Sequence, residues 1–255
     1  MEHVRVETGE NVATLTVDRP EKHNAMDVET REQFRAALDD VADGDARVLV
    51  VRGAGDAFVT GGDIADFAEF DRVDGLEYLT EHAQGLYNAV ADLSIPTIAA
   101  VDGHALGGGM ELALACDIRL ATPDARFGLP ELELGIIPAG GGTQRLATVV
   151  GAGIARELVL TGRVLDADEA ADIGLVNHVH PAAEFDERVT EMAERIADRA
   201  PLALRMATES LDRSLDVEAG LDFERVAGAF LFGTEDQHEG ARAFLEDRDP
   251  SFQGR

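Results

Sequence analysis

Apolar and polar residues alternate along residues 3–7 and again along 12–17, on either side of Gly9-Glu10-Asn11, and this two-residue period predicts a β-hairpin. Asp18-Arg19-Pro20 ends it, and Lys22-His23-Asn24-Ala25-Met26 reads as a loop. Behind Asp27, a residue suited to capping, the period lengthens: Phe34, Ala37, Leu38 and Val41 share one face of a helix over residues 28–41. The unbroken apolar run Val48-Leu49-Val50-Val51 predicts a buried strand within residues 47–52. A glycine-rich turn from Gly53 to Gly62 follows, then a short helix that Asp63 can cap. Leu76, Leu79, Ala83, Leu86, Tyr87 and Val90 recur at helical spacing, which predicts one long helix over residues 75–93.

Past Pro96 the apolar run from Ile98 to Val101 predicts another buried strand. Gly107-Gly108-Gly109 comes next, and a small-residue run then reads as a helix starting near Gly108. Residues 117–121 form a short strand, and residues 125–138, broken by glycine and proline, form short strands and turns. A helix through Gln144 and Leu146 follows Gly140-Gly141-Gly142; residues 164–171 read as a capped short helix and 175–179 as a strand. From about Ala182 the pattern is helical, with segments near 185–199, 202–215, 217–230 and 235–245 set apart by Pro181, Pro201 and Gly233. The fold class is therefore α/β, with strands and helices mixed to about residue 180 and helices alone beyond it. A length of 255 residues suffices for one sizeable core, or a core with a helical appendage.

Charge changes the picture more than composition does. Fifty acidic residues against 22 basic ones give a net charge of −28, and Lys22 is the only lysine. Nucleic acid is not an expected partner, because phosphate binding requires a positive surface; an anionic membrane is excluded on the same ground. So much like charge repels itself unless salt screens it, which points to a salt-loaded cytoplasm such as that of a halophilic archaeon. No apolar run is long enough to span a bilayer and no signal-type segment opens the chain, so a cytoplasmic location is expected. The single cysteine, Cys116, excludes a disulfide framework or a cysteine-based zinc cluster and reads as a buried structural thiol.

The chemistry concentrates where strand turns to helix at residues 98–117. The first amides of a helix lack intrahelical partners and sit at the positive end of its dipole, so this turn can offer N–H groups to an oxygen that becomes negative. Glu111, in the first turn, is an acid/base candidate beside that site. The Gly62 amide lies at the start of a second short helix. Gly140-Gly141-Gly142 lacks the Gly-Lys-Ser/Thr of a nucleotide phosphate loop, and Gly107-x-Gly109 lacks the third glycine of a dinucleotide site. His104 has no triad spacing and reads as structural; His23, His178, His180 and His238 are too scattered for a metal. Taken alone, Glu131 within Glu131-Leu132-Glu133 reads as a surface residue, with Glu133 on the same side.

Taken together, several motifs alter that last reading. Asn24-Ala25-Met26, Phe58-Val59-Thr60-Gly61-Gly62-Asp63-Ile64, the run from Ala105 to Asp117, Phe127-Gly128-Leu129-Pro130-Glu131 and the run from Leu134 to Leu146 resemble the enoyl-CoA hydratase/isomerase, or crotonase, family over nearly the whole chain, and Thr234-Glu235-Asp236, Gly240 and Ala243-Phe244-Leu245 fit it too. The resemblance implies a spiral of ββα units over residues 1–195 and a helical trimerisation region over 196–255, giving homotrimers or pairs of trimers. It implies that an acyl-CoA thioester is the substrate, with its carbonyl between the amides of Gly62 and Gly108 and no cofactor or metal beyond the coenzyme A of the substrate. It implies catalysis by Glu131, as the main acid/base at C2, and Glu111, as the residue that orients and activates water. Around the substrate it places Lys22, Ala25, Met26, Thr60, Gly61, Asp63, Ile64 and Gly107, with Phe67 as a further acyl-pocket candidate. Both glutamates argue for hydration of a 2-enoyl-CoA; an enoyl-CoA isomerase, which needs one base, is the alternative, and a non-catalytic acyl-CoA-binding subunit ranks below it. Three positions depart from the family: Ala65 stands where many relatives carry lysine, Asp247, followed by Arg248, stands where the Phe-Leu-Glu segment often continues with lysine, and Gly62 replaces the usual alanine.

Overall fold

The structure, a computed structural model, describes residues 2–68 and 70–255. The hairpin pairs β1 (Val4–Thr8) with β2 (Val12–Val17), and α1 (Val28–Ala42) follows, capped by Asp27, whose carboxylate accepts from the Thr30 amide at 2.8 Å. Three strand–strand–helix units come next. The first holds β3 (Val48–Gly53), β4 (Ala57–Val59), α2 (Ile64–Phe67), and a long helix made of α3 (Arg72–Glu77), a π-helical stretch (Tyr78–Gln84) and α4 (Gly85–Ala91). The second holds β5 (Thr97–Val101), β6 (His104–Leu106) and α5 (Gly108–Ala115). The third holds β7 (Ile118–Ala121), β8 (Arg126–Gly128), a 3₁₀ turn (Glu131–Leu134) and α6 (Gly142–Val150).

Each unit places its first strand in one sheet and its second in another. With β9 at Leu165–Asp166 and β10 at His178–Val179, the larger sheet has the order β1-β2-β3-β5-β7-β10 and the smaller β4-β6-β8-β9; every pairing from β2 to β10 in the first and from β4 to β8 in the second is parallel. Stacking the units in this way winds the chain as a spiral. The remaining elements are α7 (Ala152–Thr161), β9 (Leu165–Asp166), α8 (Ala167–Asp172), β10 (His178–Val179), α9 (Phe185–Ala197), α10 (Pro201–Leu211), α11 (Val217–Leu231) and α12 (Glu235–Glu246).

Strand alternation assigns each face of the larger sheet to its own core. Leu49, Val51, Ala99 and Val101 point into the main cluster with Phe34, Phe58, Tyr87 and Phe127. Val48, Val50, Ile98, Ala100 and Leu120 point the other way, against Phe185, Val189, Ala193 and Ala197 of α9. By these contacts α9 belongs with the sheet, and α10–α12 follow it. Cys116 is a buried free thiol.

Several elements differ from the sequence expectation, among them β6, which it does not contain. The helix expected over 75–93 starts earlier, at Arg72, and carries the π stretch in its middle. The strand expected over 175–179 is only His178–Val179. The turn between Gly53 and Gly62 contains β4, three buried residues too few to show a period. Helix α7 was not anticipated, although Ala155 and Leu158 on its buried side are three apart.

The loop before α1 is tied to this frame by Asn24, which is fully buried in the left-handed region at φ 59°. Its Oδ1 accepts from the Arg19 amide (2.9 Å), and its Nδ2 donates to the Ala54 and Ala57 carbonyls (2.8 and 2.6 Å). Asn24→Ala leaves those three backbone groups unsatisfied and is expected to lower stability by about 3 kcal/mol. Urea unfolding at unchanged m value measures it, and a loss below roughly 1 kcal/mol would show that the loop is held some other way.

Candidate active site

Parallel pairing brings the glycine turns together. Val59 of β4 is in register with Ala105 of β6, and Ala105 is in register with Phe127 of β8. Three residues past each of the first two positions stand Gly62 and Gly108; three past the third stands Pro130, with Glu131 next. The carboxyl ends of neighbouring parallel strands thus deliver both amides and one acid to one cleft, the usual place for a ligand in such sheets.

The turn into α5 needs glycine for steric reasons. Gly107 sits at φ 53°, ψ −126°, and a side chain on Gly109 would run into the Val59 carbonyl of β4. Gly61 and Gly108 are in near contact: a methyl group on Gly61 would lie 3.2 Å from the Gly108 nitrogen. Among the described residues neither the Gly62 nor the Gly108 amide has a backbone acceptor, and both residues line the cleft. Gly62 itself is explained by its neighbours. A methyl group there would sit 2.9 Å from the Tyr78 hydroxyl and collide with the edge of Phe67, which packs against Tyr78 with ring centres 5.1 Å apart.

Glu111 is one turn into α5 and only 5 % exposed. Its Oε1 accepts from the Gly142 amide at 2.8 Å, and Gly140 leaves room for the carboxylate, since a methyl group there would be 2.5 Å from Oε2. Burial pushes its pKa up, opposed by the amides of Gly142 and Gly140 and by the charges of Arg31 and Arg145. Glu131 opens the 3₁₀ turn rather than an extended segment, so Glu133 does not share its surroundings: Glu133 is exposed, while Glu131 lines the cleft. Burial pushes the Glu131 carboxyl up to about 7, against its own backbone amide and with help from Glu111. Its Oε2 is buried with no hydrogen-bond partner among the described residues. A methyl group on Gly107 would lie 3.3 Å from its Oε1, so the carboxyl lies over the glycine turn. Of the two acids Glu111 accepts from the Gly142 amide, whereas Glu131 has no donor from another residue among the described residues.

Thr60, Gly61, Ile64 and Gly107, expected near the substrate, line the cleft, as does Phe67. Lys22, Ala25 and Asp63 do not; the Lys22 ammonium instead reaches Asp63 at 3.6 Å. Met26 does not line it either: its side chain is fully buried in the main core, and its amide donates to the Gly61 carbonyl, so it supports the glycine turn from behind. His104 is exposed on β6, and among the described residues no group of three or more His, Cys, Asp or Glu is placed to hold a metal.

Three cleft residues were missed. Arg31 is 2 % exposed and donates to the Met26 and His82 carbonyls and the Tyr87 hydroxyl. Its guanidinium lies 5.2 and 5.5 Å from the ring centres of Tyr78 and Tyr87, the only tyrosines in the chain. One signal was available: Arg31 falls on the α1 stripe of Phe34, Leu38 and Val41, where a solvated arginine does not belong.

The sequence matches the family profile described as enoyl-CoA hydratase/isomerase over residues 7–255. It is 37 % identical over 252 residues to the short-chain-enoyl-CoA hydratase of Clostridium acetobutylicum, covering 97 % of this chain and 96 % of that one. It is 39 % identical over 255 residues to the crotonyl-CoA hydratase of Syntrophomonas wolfei, covering 98 % of each. The crystal structure of an enoyl-CoA hydratase from Bacillus anthracis superposes with a TM-score of 0.95 at 35 % identity, covering 99 % of this chain and 100 % of that one.

A carboxyl raised in this way costs stability. Above pH 4.5 the unfolded chain releases the Glu131 proton while the folded chain keeps it up to about pH 7, so the wild type loses stability across that window and the penalty is constant above it. Glu131→Gln removes the penalty. Its melting temperature is expected to equal the wild type's near pH 4.5 and to exceed it at pH 8.5; an equal difference at both pH values would contradict the shifted carboxyl.

Proposed function

Because this chain belongs to the enoyl-CoA hydratase/isomerase family, we infer that it is an enoyl-CoA hydratase, adding water across the 2,3 double bond of a 2-enoyl-CoA thioester. The observation that carries the reading is the pair of acids, Glu111 and Glu131, in one cleft with two amides that have no backbone acceptor among the described residues. With the thioester oxygen between the Gly62 and Gly108 amides, C3 becomes electrophilic. The Glu111 carboxylate takes a proton from water as the water oxygen bonds to C3. The π electrons move onto the thioester oxygen, giving an enolate that the two amides stabilise, a donor of this kind being worth roughly 3 kcal/mol. The Glu131 carboxyl then delivers its proton to C2, and proton exchange between the two acids through product or solvent resets the site. Glu111 acts on Glu131 and both line one cleft, so the reading gives them one shared water, with oxygen and hydrogen adding to the same face.

An isomerase needs one base to carry a proton between two carbons and gains nothing from a second acid, which is why hydration is preferred. The helical C-terminal part supports assembly into a homotrimer, or a pair of trimers: Leu215, Phe232, Phe244 and Leu245 are 82, 79, 87 and 82 % exposed in the single chain, an apolar surface that water alone does not favour. Among the described residues no helix is long and apolar enough to cross a membrane. The net charge of −28 supports a salt-rich cytoplasm as its setting.

Crotonyl-CoA is expected to lose its conjugated-thioester absorbance on addition of the enzyme. Because the acting form of Glu131 is protonated, kcat/KM for hydration should fall about tenfold per pH unit above about pH 7. Glu111→Gln and Glu131→Gln should each lower kcat by about a thousandfold. No hydration by the wild type, or a rate that rises through pH 7, would sink the assignment. Light scattering should give three or six times the 27.2 kDa chain mass, and a monomer would refute the assembly.

A further inference from the structure

Arg31 is a charge in the wrong place for a purely apolar acyl pocket. It is 98 % buried, and its three hydrogen bonds go to two carbonyls and a phenol, none of them a carboxylate. Among the described residues it makes no ion pair. Its remaining nitrogen, Nη2, has no acceptor there either, and it faces the cleft beside the reaction centre: a methyl group on Gly108 would lie 3.5 Å from it.

The same wall holds two more donors without acceptors. The Tyr78 hydroxyl has no hydrogen-bond partner among the described residues and lies 2.9 Å from where a Gly62 methyl group would be. The Tyr87 hydroxyl accepts from Arg31, and its own hydrogen has no acceptor there. Burial pushes both phenols up, so they remain donors. Glu111 is the nearby acceptor, and its Oε1 is already bonded to the Gly142 amide. The wall therefore has more N–H and O–H groups than acceptors: Glu111 acts on Arg31 through its charge but makes no hydrogen bond to it, and a ligand acceptor would satisfy both Nη2 and the Tyr78 hydroxyl.

We propose that Arg31 and Tyr78 form a subsite for an oxyanion on the acyl group, so that the preferred substrate is a short 2-enoyl thioester ending in a carboxylate rather than in a methyl group. The proposal rests on the hydratase reading for the reaction and adds the acyl class. The donors lie directly behind the Gly62 and Gly108 positions, so the carboxylate must be only a few bonds from the thioester carbonyl, as in a five-carbon 2-enedioyl chain. Such a substrate keeps its unsaturated carbons at the two glutamates while its far end meets the guanidinium fork, whose planar geometry suits a carboxylate.

Glutaconyl-CoA and crotonyl-CoA share the reacting atoms and differ by the terminal carboxylate. Wild-type kcat/KM is expected to favour glutaconyl-CoA by about tenfold or more, and calorimetry should show the saturated glutaryl-CoA binding about tenfold tighter than butyryl-CoA. Arg31→Met should cut the glutaconyl-to-crotonyl ratio of kcat/KM by roughly 30-fold, and Tyr78→Phe by about threefold. A wild type that hydrates crotonyl-CoA at least as well as glutaconyl-CoA overturns the proposal. So does an Arg31→Met variant in which both rates fall equally, since Arg31 then serves Glu111 or the oxyanion site alone. Should Arg31→Met fail to fold, the two wild-type affinities and Tyr78→Phe decide. If no thioester is hydrated yet glutaryl-CoA still outbinds butyryl-CoA, the reaction assignment fails and the subsite stands.

Discussion

The parallel pairing of β4 with β6 is the constraint on which everything else rests. It is short, three residues against three, and buried throughout on the β4 side. Yet the register Val59↔Ala105 alone decides that Gly62 and Gly108, which are 46 positions apart in sequence, line the same cleft. A slip of one residue would turn every side chain of β4 to the opposite face and separate the two amides. The surrounding structure guards against that slip: Gly109 packs on the Val59 carbonyl, Met26 donates to Gly61 from behind, and Asn24 ties the same loop to Ala54 and Ala57. The amides are therefore fixed by backbone geometry before any ligand arrives, which is what makes a hydrogen-bond donor effective against charge that appears only during the reaction.

Once the amides are placed, dehydration sets the rest of the chemistry. Both glutamates are raised chiefly by burial, but they are not equivalent, because only Glu111 is supported by amides from a neighbouring turn, at Gly142 and Gly140. The glycines of that turn serve the acid rather than any phosphate: side chains at 140 and 142 would occupy the space of its carboxylate. Arg31 adds a cation that acts on Glu111 and not on Glu131, which widens the difference between them.

How much of this could be read from residues alone depended on the length scale involved. Local periods placed the hairpin, α1, α5 and the C-terminal helices closely, because each is set by contacts within a few residues. The glycine cluster at 107–109 with Glu111 was legible for the same reason. Glu131 was not: alternation around Leu132 suggested a surface residue, and only the resemblance of the longer motif assigned it a role. Its surroundings come from a 3₁₀ turn and from the glycine turn beneath it, neither visible in a local pattern. Arg31, Tyr78 and Tyr87 are a third case. Arg31 of α1 meets Tyr78 at the start of the π stretch and Tyr87 of α4 beyond it, and the π stretch changes the angular spacing that a 3.6-residue period assumes. β4 was hidden by its brevity.

The surface and the cleft obey different electrostatics. Fifty acidic residues lie mostly in contact with solvent, where Arg–carboxylate pairs such as Arg163–Glu169 and Arg188–Glu184 are each worth less than about 1 kcal/mol and weaken further as salt screens them. Beyond roughly 10 Å at ordinary ionic strength, and about 3 Å in molar salt, those charges hardly act on one another. Glu111 and Glu131 draw their shifts from burial and from near neighbours, terms that mobile ions reach poorly. Changing the ionic strength therefore acts on the stability of a chain with net charge −28, while the upward shifts of Glu111 and Glu131 stay where packing has set them.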